Sequence, residues 1–136
     1  MAEANAAGRP RARAIEAPGL STSPLSAAWV VDGVIYTSGQ VGRDPKTGEV
    51  PSEMEDQIRV AMSNLQQVLQ AAGGSLASVV KTTVYLVRRD DFAAMNTLYA
   101  GYFPGAKPAR STLIVELARP DLLFEIEAIA YVETGG

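Results

Sequence analysis

The chain has 136 residues and a formal net charge of −3, and it contains neither cysteine nor histidine. This length suits one domain, and the missing residues exclude disulfides, thiolate zinc sites, cysteine nucleophiles and Ser-His-Asp chemistry. The acidic balance argues against nucleic-acid binding through phosphate neutralisation. Any catalysis must therefore use carboxylates, arginine, lysine, tyrosine, hydroxyls, backbone amides or bound water.

The first residues do not resemble a secretory signal, and Glu3 and the short length count against an organelle presequence. Residues 1–13 are rich in alanine and arginine but hold no apolar run typical of a secretory signal. We predict a disordered tail over residues 1–13 and a single domain over residues 14–136. Because no apolar run reaches the roughly 20 residues that span a bilayer, we expect a cytoplasmic protein without a membrane partner.

The first half of the domain predicts strands followed by a long helix. Residues 11–16 are typical of a short strand, and residues 27–38 form a predicted hairpin around Asp32-Gly33, which favours a type I′ turn. Apolar residues then recur at helical spacing from residue 58 to residue 72. Ser52 and Glu55 fit a capping box at the start of this helix, and Gly73-Gly74 fits its end.

The second half predicts a strand, a second helix and two more strands. Residues 78–87 alternate as a strand, and the second helix begins near Asp90-Asp91 and stops at Pro104-Gly105. Its apolar stripe consists of Phe92, Met95, Tyr99 and Tyr102 or Phe103. Residues 111–117 and 123–130 predict the last strands. The chain therefore predicts an α+β domain with a mixed sheet of about six strands and two helices on one face.

The last strand indicates what covers the other face of the sheet. One side of this strand carries apolar residues suited to pack under the helices, whereas the other side mixes apolar residues with Glu125 and Glu127. That second side is too apolar to be left exposed to water and too charged to be buried in the core of a monomer. We expect a symmetric homo-oligomer with Arg110 and Glu125 at or near the subunit contact.

Arg110 and Glu125 are also the candidate site residues. Arg110 follows Pro108 at the mouth of a strand, so its guanidinium is held on rigid backbone, and Glu125 lies inside an apolar strand. Together they could bind and hydrolyse a small acid, form a salt bridge between the two strands, or be unrelated surface charges. Similarly, Ser38-Gly39 indicates either close approach of another group or a simple strand end, and Asn96 is either a site residue or an ordinary polar helix residue.

Six motifs in a fixed order resemble the RidA family, also called YjgF/YER/UK, across residues 15–132. The motifs are residues 36–40 (YTSGQ), 44–48 (DPKTG), 80–84 (VKTTV), 91–96 (DFAAMN), 107–112 (KPARST) and 125–130 (EIEAIA). The resemblance implies a chorismate-mutase-like α+β fold and a homotrimer with clefts between its subunits. It also implies hydrolysis of reactive 2-imino (enamine) acids to 2-keto acids and ammonia, without a metal or cofactor.

The resemblance also implies roles for individual residues. Arg110 corresponds to the arginine that grips the substrate carboxylate, and Glu125 corresponds to the acid that positions and activates the attacking water. The positions that line the same pocket are Ser38, Gly39, Asn96 and Thr112.

One position departs from the family pattern. Many active members have a Gly-Pro-Tyr run whose tyrosine closes over the substrate, whereas the matching run here is residues 23–25 (SPL). Leu25 offers an apolar wall and no hydrogen bond, so we expect a substrate bulkier or less polar than the simplest imino acid. The alternative is a non-catalytic protein that binds small carboxylates such as 2-keto acids through Arg110. The endoribonuclease activity named for some relatives is disfavoured by the acidic balance and the missing histidines.

Overall fold

The computed structural model describes residues 11–20 and 24–133, and it contains one mixed sheet with two α-helices on one face. The strands are β1 (Ala12–Ile15), β2 (Ala28–Val31), β3 (Val34–Thr37), β4 (Gln40–Val41), β5 (Val79–Leu86), β6 (Ala109–Ile114) and β7 (Phe124–Tyr131). The α-helices are α1 (Met54–Ala71) and α2 (Phe92–Tyr102), with 3₁₀ turns at Leu76–Ser78 and Arg89–Asp91. The predicted α+β class is confirmed.

The sheet has the strand order β1-β2-β3-β7-β5-β6, and β4 pairs with β7 beyond the end of β3. β5 and β6 are parallel and are connected through α2, while the other strand pairs are antiparallel. The sheet therefore has seven strands in the described residues, against a prediction of about six. The additional strand is β4, which has two residues and is defined only by its pairing with β7.

The hairpin between β2 and β3 has the predicted turn. Asp32 has a φ of 49° and Gly33 a φ of 80°, as a type I′ turn requires. The Asp32 carboxylate accepts a hydrogen bond from the backbone N–H of Arg11 at 3.0 Å, which ties the start of β1 to the turn. Because β1 begins at Ala12, the predicted domain start at residue 14 falls inside a strand; residues 1–10 of the predicted tail lie outside the described residues.

Helix α1 ends as predicted but begins differently. Gly73, with a φ of 91°, donates to the carbonyl of Gln70 and Gly74 donates to that of Leu69, which is the Schellman arrangement. The capping box of Ser52 and Glu55 is wrong, because Glu53 is the N-cap and no side chain caps the helix. The fully buried Gln57 side chain fixes this end instead.

Gln57 connects the first turn of α1 to the segment that leads into β7. Its amide nitrogen donates to the carbonyls of Pro51 and Asp121 at 2.9 Å, and its amide oxygen accepts from the N–H of Leu123 at 2.8 Å. These tertiary hydrogen bonds position the helix start without a local cap.

Helix α2 presents two different faces. Met95 and Tyr99 are buried and Phe103 follows them into the core, whereas Phe92, predicted in the same stripe, is 42% exposed. Asp91 does not cap the helix and instead binds Arg88 at 2.8 Å. The C-terminal end is capped by Lys107, whose Nζ donates to the carbonyls of Ala100 and Phe103.

The two faces of the sheet differ as the sequence of β7 predicts. Phe124, Ile126, Ala128 and Ala130 are buried on the helix side. The other side, which we call the open face, carries Glu125, Glu127, Ile129 and Tyr131 from β7, and Trp29 and Tyr36 from β2 and β3. Trp29, Tyr36 and Tyr131 are each about half exposed. No helix in the described part of the chain is long and apolar enough to cross a membrane.

Candidate active site

Arg110 lies on the helix side of the sheet, at the edge strand β6. It is the register partner of Thr82, which is itself the partner of buried Ala128, so the three side chains share one face. The Arg110 Cζ atom lies 4.8 Å from the ring centroid of Tyr99 and 5.9 Å from that of Phe92. The predicted strand start shifts slightly, because β6 begins at Ala109 and includes Arg110.

The Arg110 guanidinium has no carboxylate partner among the residues that the structure describes. The ion pairs in this part of the chain involve Arg59, Arg88 and Arg119 instead. The interstrand salt bridge that the sequence left open is therefore absent within the described residues. A partly buried guanidinium that contacts aromatic rings but no carboxylate keeps its N–H donors available for an anion.

Thr112 and Asn96 lie near Arg110 by register and helical spacing. Thr112 is the partner of buried Val84, so it faces the same side as Arg110 two residues earlier. Phe92, Asn96 and Tyr99 stand at positions i, i+4 and i+7 of α2 and therefore share a helix face. The Oδ1 atom of Asn96 is buried and has no hydrogen-bond partner among the described residues. Such an orphaned buried acceptor usually costs about 1–3 kcal/mol.

Glu125 lies on the opposite side, on the open face. It is the partner of Tyr85 on β5 and of Val41 on β4. Burial raises the pKa of Glu125 above its ordinary value of 4.5, and the charge of Glu127 raises this pKa further. The hydroxyl of Tyr85 donates to Glu127 at 2.9 Å, and this hydrogen bond raises the pKa of Tyr85. Glu125 is therefore a partly buried carboxylate that binds a proton more readily than an exposed glutamate does.

Gly39 lies against Glu125, and it lines a groove together with Leu25. A Cβ atom at residue 39 would overlap the carboxylate oxygen of Glu125 and lie 2.9 Å from its Cδ, so the close approach predicted at Ser38-Gly39 is real. Leu25 is 50% exposed and lines, with Gly39 and Arg43, a shallow groove of about 160 Å³. Ser23, the first residue of the run that includes Leu25, lies outside the described residues.

Ser38 has a partner within the same loop region. Its hydroxyl donates to the backbone carbonyl of Ser26 at 2.6 Å, so only its oxygen lone pairs remain for a ligand.

The predicted site residues thus form two groups that do not meet within one subunit. Arg110, Thr112 and Asn96 lie on the helix side at the β6 edge, whereas Glu125 with Gly39 lies on the open face. The sheet separates the two groups, so a ligand that touches both Arg110 and Glu125 requires two copies of the chain. Among the described residues, no cluster of three or more acidic side chains is placed to hold a metal ion.

Four residues around these groups were not predicted as site residues. Phe92 and Tyr99 contact Arg110, and Glu127 and Tyr85 lie beside Glu125. The i, i+4, i+7 spacing of Phe92, Asn96 and Tyr99 is visible in the sequence. The sequence predicts Phe92 and Tyr99 only as members of an apolar stripe with Met95, and it places Asn96 beside that stripe.

Fold and site together define a small α+β protein that presents, on opposite sheet faces, an arginine without a carboxylate partner among the described residues and a partly buried carboxylate with a raised pKa. Over residues 15–132 the chain matches the family described as Endoribonuclease L-PSP. The chain belongs to this family, which is the RidA family that its motifs resemble.

Similar proteins agree with this assignment. A RutC family protein from Pyrococcus horikoshii is 47% identical over 81% of this chain and 88% of its own length. The 2-iminobutanoate/2-iminopropanoate deaminase of Mus musculus is 44% identical over 79% of this chain and 80% of its own length. The crystal structure of a protein of the conserved Rid family from Yersinia pestis has a TM-score of 0.84 and 35% identity, and covers 89% of this chain and 99% of that chain.

Proposed function

We propose that the protein hydrolyses reactive 2-imino or enamine acids to 2-keto acids and ammonia. The observation that carries the proposal is the Arg110 guanidinium, which contacts two aromatic rings and no carboxylate among the described residues. The raised pKa of Glu125 supports it, as does the deaminase named in mouse at 44% identity. Nothing in this chemistry requires groups beyond the side chains and water.

In this proposal Arg110 binds the substrate carboxylate. The planar guanidinium can donate two parallel hydrogen bonds to a carboxylate, and each charge-assisted bond contributes about 1.5–3 kcal/mol. Binding in this way fixes the direction in which C2 of the substrate faces, so that much of the acceleration comes from positioning. Thr112, on the same face, offers a hydroxyl that can donate to the same carboxylate.

Glu125 carries the proton transfers. As its carboxylate takes a proton from water, the oxygen of that water forms a bond to C2 of the iminium and the C=N π electrons move to nitrogen. Glu125 then returns the proton to the amine nitrogen, the C–N bond breaks and ammonia leaves, while the hydroxyl group on C2 becomes the C=O group by giving its proton back to the Glu125 carboxylate. A carboxylate with a raised pKa suits both steps, and such acid–base help contributes about 10²–10⁴-fold.

We further propose that each site lies between two subunits of a homotrimer. Since Arg110 and Glu125 face opposite ways, the Arg110 group of one subunit must meet the open face of the next. The half-exposed Trp29, Tyr36 and Tyr131 on that open face form the kind of apolar patch that subunit contacts cover.

Complementation between inactive subunits tests the function and the shared site together. Arg110→Ala and Glu125→Gln are purified separately, then mixed, unfolded and refolded, and keto-acid formation is followed from freshly generated imino acids. Each variant alone should be inactive, whereas random assembly should restore about a quarter of the sites, namely those that combine two intact residues. A mixture that stays inactive would contradict the shared site. A wild type that accelerates no imine but binds 2-keto acids would assign the protein as a carboxylate-binding protein.

A further inference from the structure

We propose that Phe92 and Tyr99 are positioning residues that hold the Arg110 guanidinium ready for the substrate carboxylate, with Thr82 fixing Tyr99 in turn. This inference rests on the proposed function, because it assumes that Arg110 binds a carboxylate. It assigns a role to two aromatic residues that the sequence predicts only as core.

Tyr99 connects Arg110 to the neighbouring strand. Its ring centroid lies 4.8 Å from the Cζ atom of Arg110, and its hydroxyl lies 2.7 Å from Oγ1 of Thr82. Thr82 is fully buried and is the register partner of Arg110 on β5. The side chain of Arg110 is therefore held by a ring that is itself bound to the residue across the ladder.

The environment of Tyr99 leaves it little freedom to move. Its side chain is only 7% exposed, and its ring packs against Phe103 at 4.8 Å between centroids. Burial raises the pKa of Tyr99, so the hydroxyl stays protonated and the bond to Thr82 persists across the neutral range. A ring fixed in this way restricts the rotamers of the long arginine side chain.

Phe92 contributes an independent observation. It is a large apolar residue that is 42% exposed at the start of α2, so the core does not account for its presence. Its ring lies against the cation of Arg110, whose Cζ atom is 5.9 Å from the ring centroid. Contact with an aromatic ring engages none of the N–H donors in a hydrogen bond to oxygen, so positioning by rings leaves these donors for the substrate.

Phe92→Leu tests the role with little risk to folding, and Tyr102→Leu is its matched control. Tyr102 is a partly exposed aromatic residue on the same helix and has no ring contact with Arg110. We expect Phe92→Leu to raise KM for imino acids, and the Kd for 2-oxobutanoate, by about 2- to 5-fold, with a much smaller change in kcat. Tyr102→Leu should leave both constants unchanged.

A second variant tests the link to Thr82. Tyr99→Phe keeps the ring but removes the hydroxyl, and it should raise KM by a smaller factor than Phe92→Leu. The primary amide of the 2-keto acid, which lacks the carboxylate, should bind wild type and variants equally, whereas a general structural defect would weaken both ligands.

The outcomes separate this inference from the proposed function. A wild type that neither hydrolyses imines nor binds 2-oxobutanoate would overturn the proposed function. If the wild type is active and Phe92→Leu has the same KM as Tyr102→Leu, the positioning role alone is overturned. If Tyr99→Phe has the same KM as the wild type, Thr82 has no part in the positioning.

Discussion

Gly39 lies directly against the carboxylate of Glu125, so closely that a Cβ atom at residue 39 would overlap the carboxylate oxygen. The contact covers one side of a carboxylate whose pKa burial already raises. Any residue with a Cβ atom at position 39 would displace this carboxylate, whereas glycine does not. The motif at residues 36–40 thus meets the motif at residues 125–130 here, as it also does through the strand pairs Tyr36–Ile129 and Gln40–Ile126.

Gly39→Ala should therefore impair activity more than stability. The atom that the new Cβ meets is the end of a flexible side chain, so Glu125 moves while the fold persists. A displacement of a catalytic group by about 1 Å can cost about 100-fold in kcat/KM. Steady-state kinetics and thermal denaturation of the variant test this expectation.

Gly101→Ala is the control for that substitution. Nothing lies within 4 Å of a Cβ at residue 101, which is in α2. Alanine there should stabilise the helix by about 1 kcal/mol and leave kcat/KM unchanged. Equal activity of the two alanine variants would contradict the importance of the Gly39–Glu125 contact.

Glu125→Gln should abolish turnover but raise the melting temperature at neutral pH. The pKa of Glu125 is raised in the folded protein, so its contribution to stability is fully present below the ordinary value of 4.5 and is lost as the pH rises through the raised pKa. Glutamine removes the ionised group that the folded state holds unfavourably. Thermal denaturation should show a gain at neutral pH that vanishes below about pH 4. A lower melting temperature than wild type at neutral pH would count against this account.

Glu127→Gln should shift the acid limb of the pH–rate profile. The charge of Glu127 is the second cause, after burial, of the raised pKa of Glu125, so its removal lowers that pKa. Glutamine still accepts from the Tyr85 hydroxyl, which keeps the local geometry. We expect kcat/KM to fall at lower pH than in wild type, while the rate above the limb stays similar. Glu49→Gln, at an exposed turn, should leave the profile unmoved, and an unmoved profile in Glu127→Gln would be evidence against this coupling.

Leu25→Tyr should change substrate preference. Leu25 is half exposed and lines a groove together with Gly39, which itself lies against Glu125, so we expect Leu25 to contact the substrate side chain. Tyrosine adds bulk and a hydroxyl, which should favour small imino acids over bulky ones by about 10-fold in relative kcat/KM. The measurement is keto-acid formation across imino acids of graded size, with Leu25→Ala as the variant that enlarges the groove. Identical profiles for all three proteins would exclude Leu25 as a determinant.

Much of the fold could be predicted because its signals are local. The type I′ turn at Asp32-Gly33, the apolar stripe of α1 and its Gly73-Gly74 end depend on residues close together in the chain. Alternation along β7 likewise separates the buried face from the open face. Arg110 and Glu125 are recognisable in the sequence because the family motifs carry both residues and because each is a charged residue within a predicted strand or at its start.

The remaining features were decided by contacts between distant segments. Tertiary hydrogen bonds of Gln57 replace the capping box that Ser52 suggests, and β4 is a strand only because β7 pairs with it. The register of β5 with β6 and β7 places Arg110 and Glu125 on opposite faces. Spacing along the chain does not determine that register, because it depends on which strands become neighbours. The sequence by itself therefore determined the elements and the candidate chemistry, and the tertiary structure decided that this chemistry is divided between two faces of one sheet.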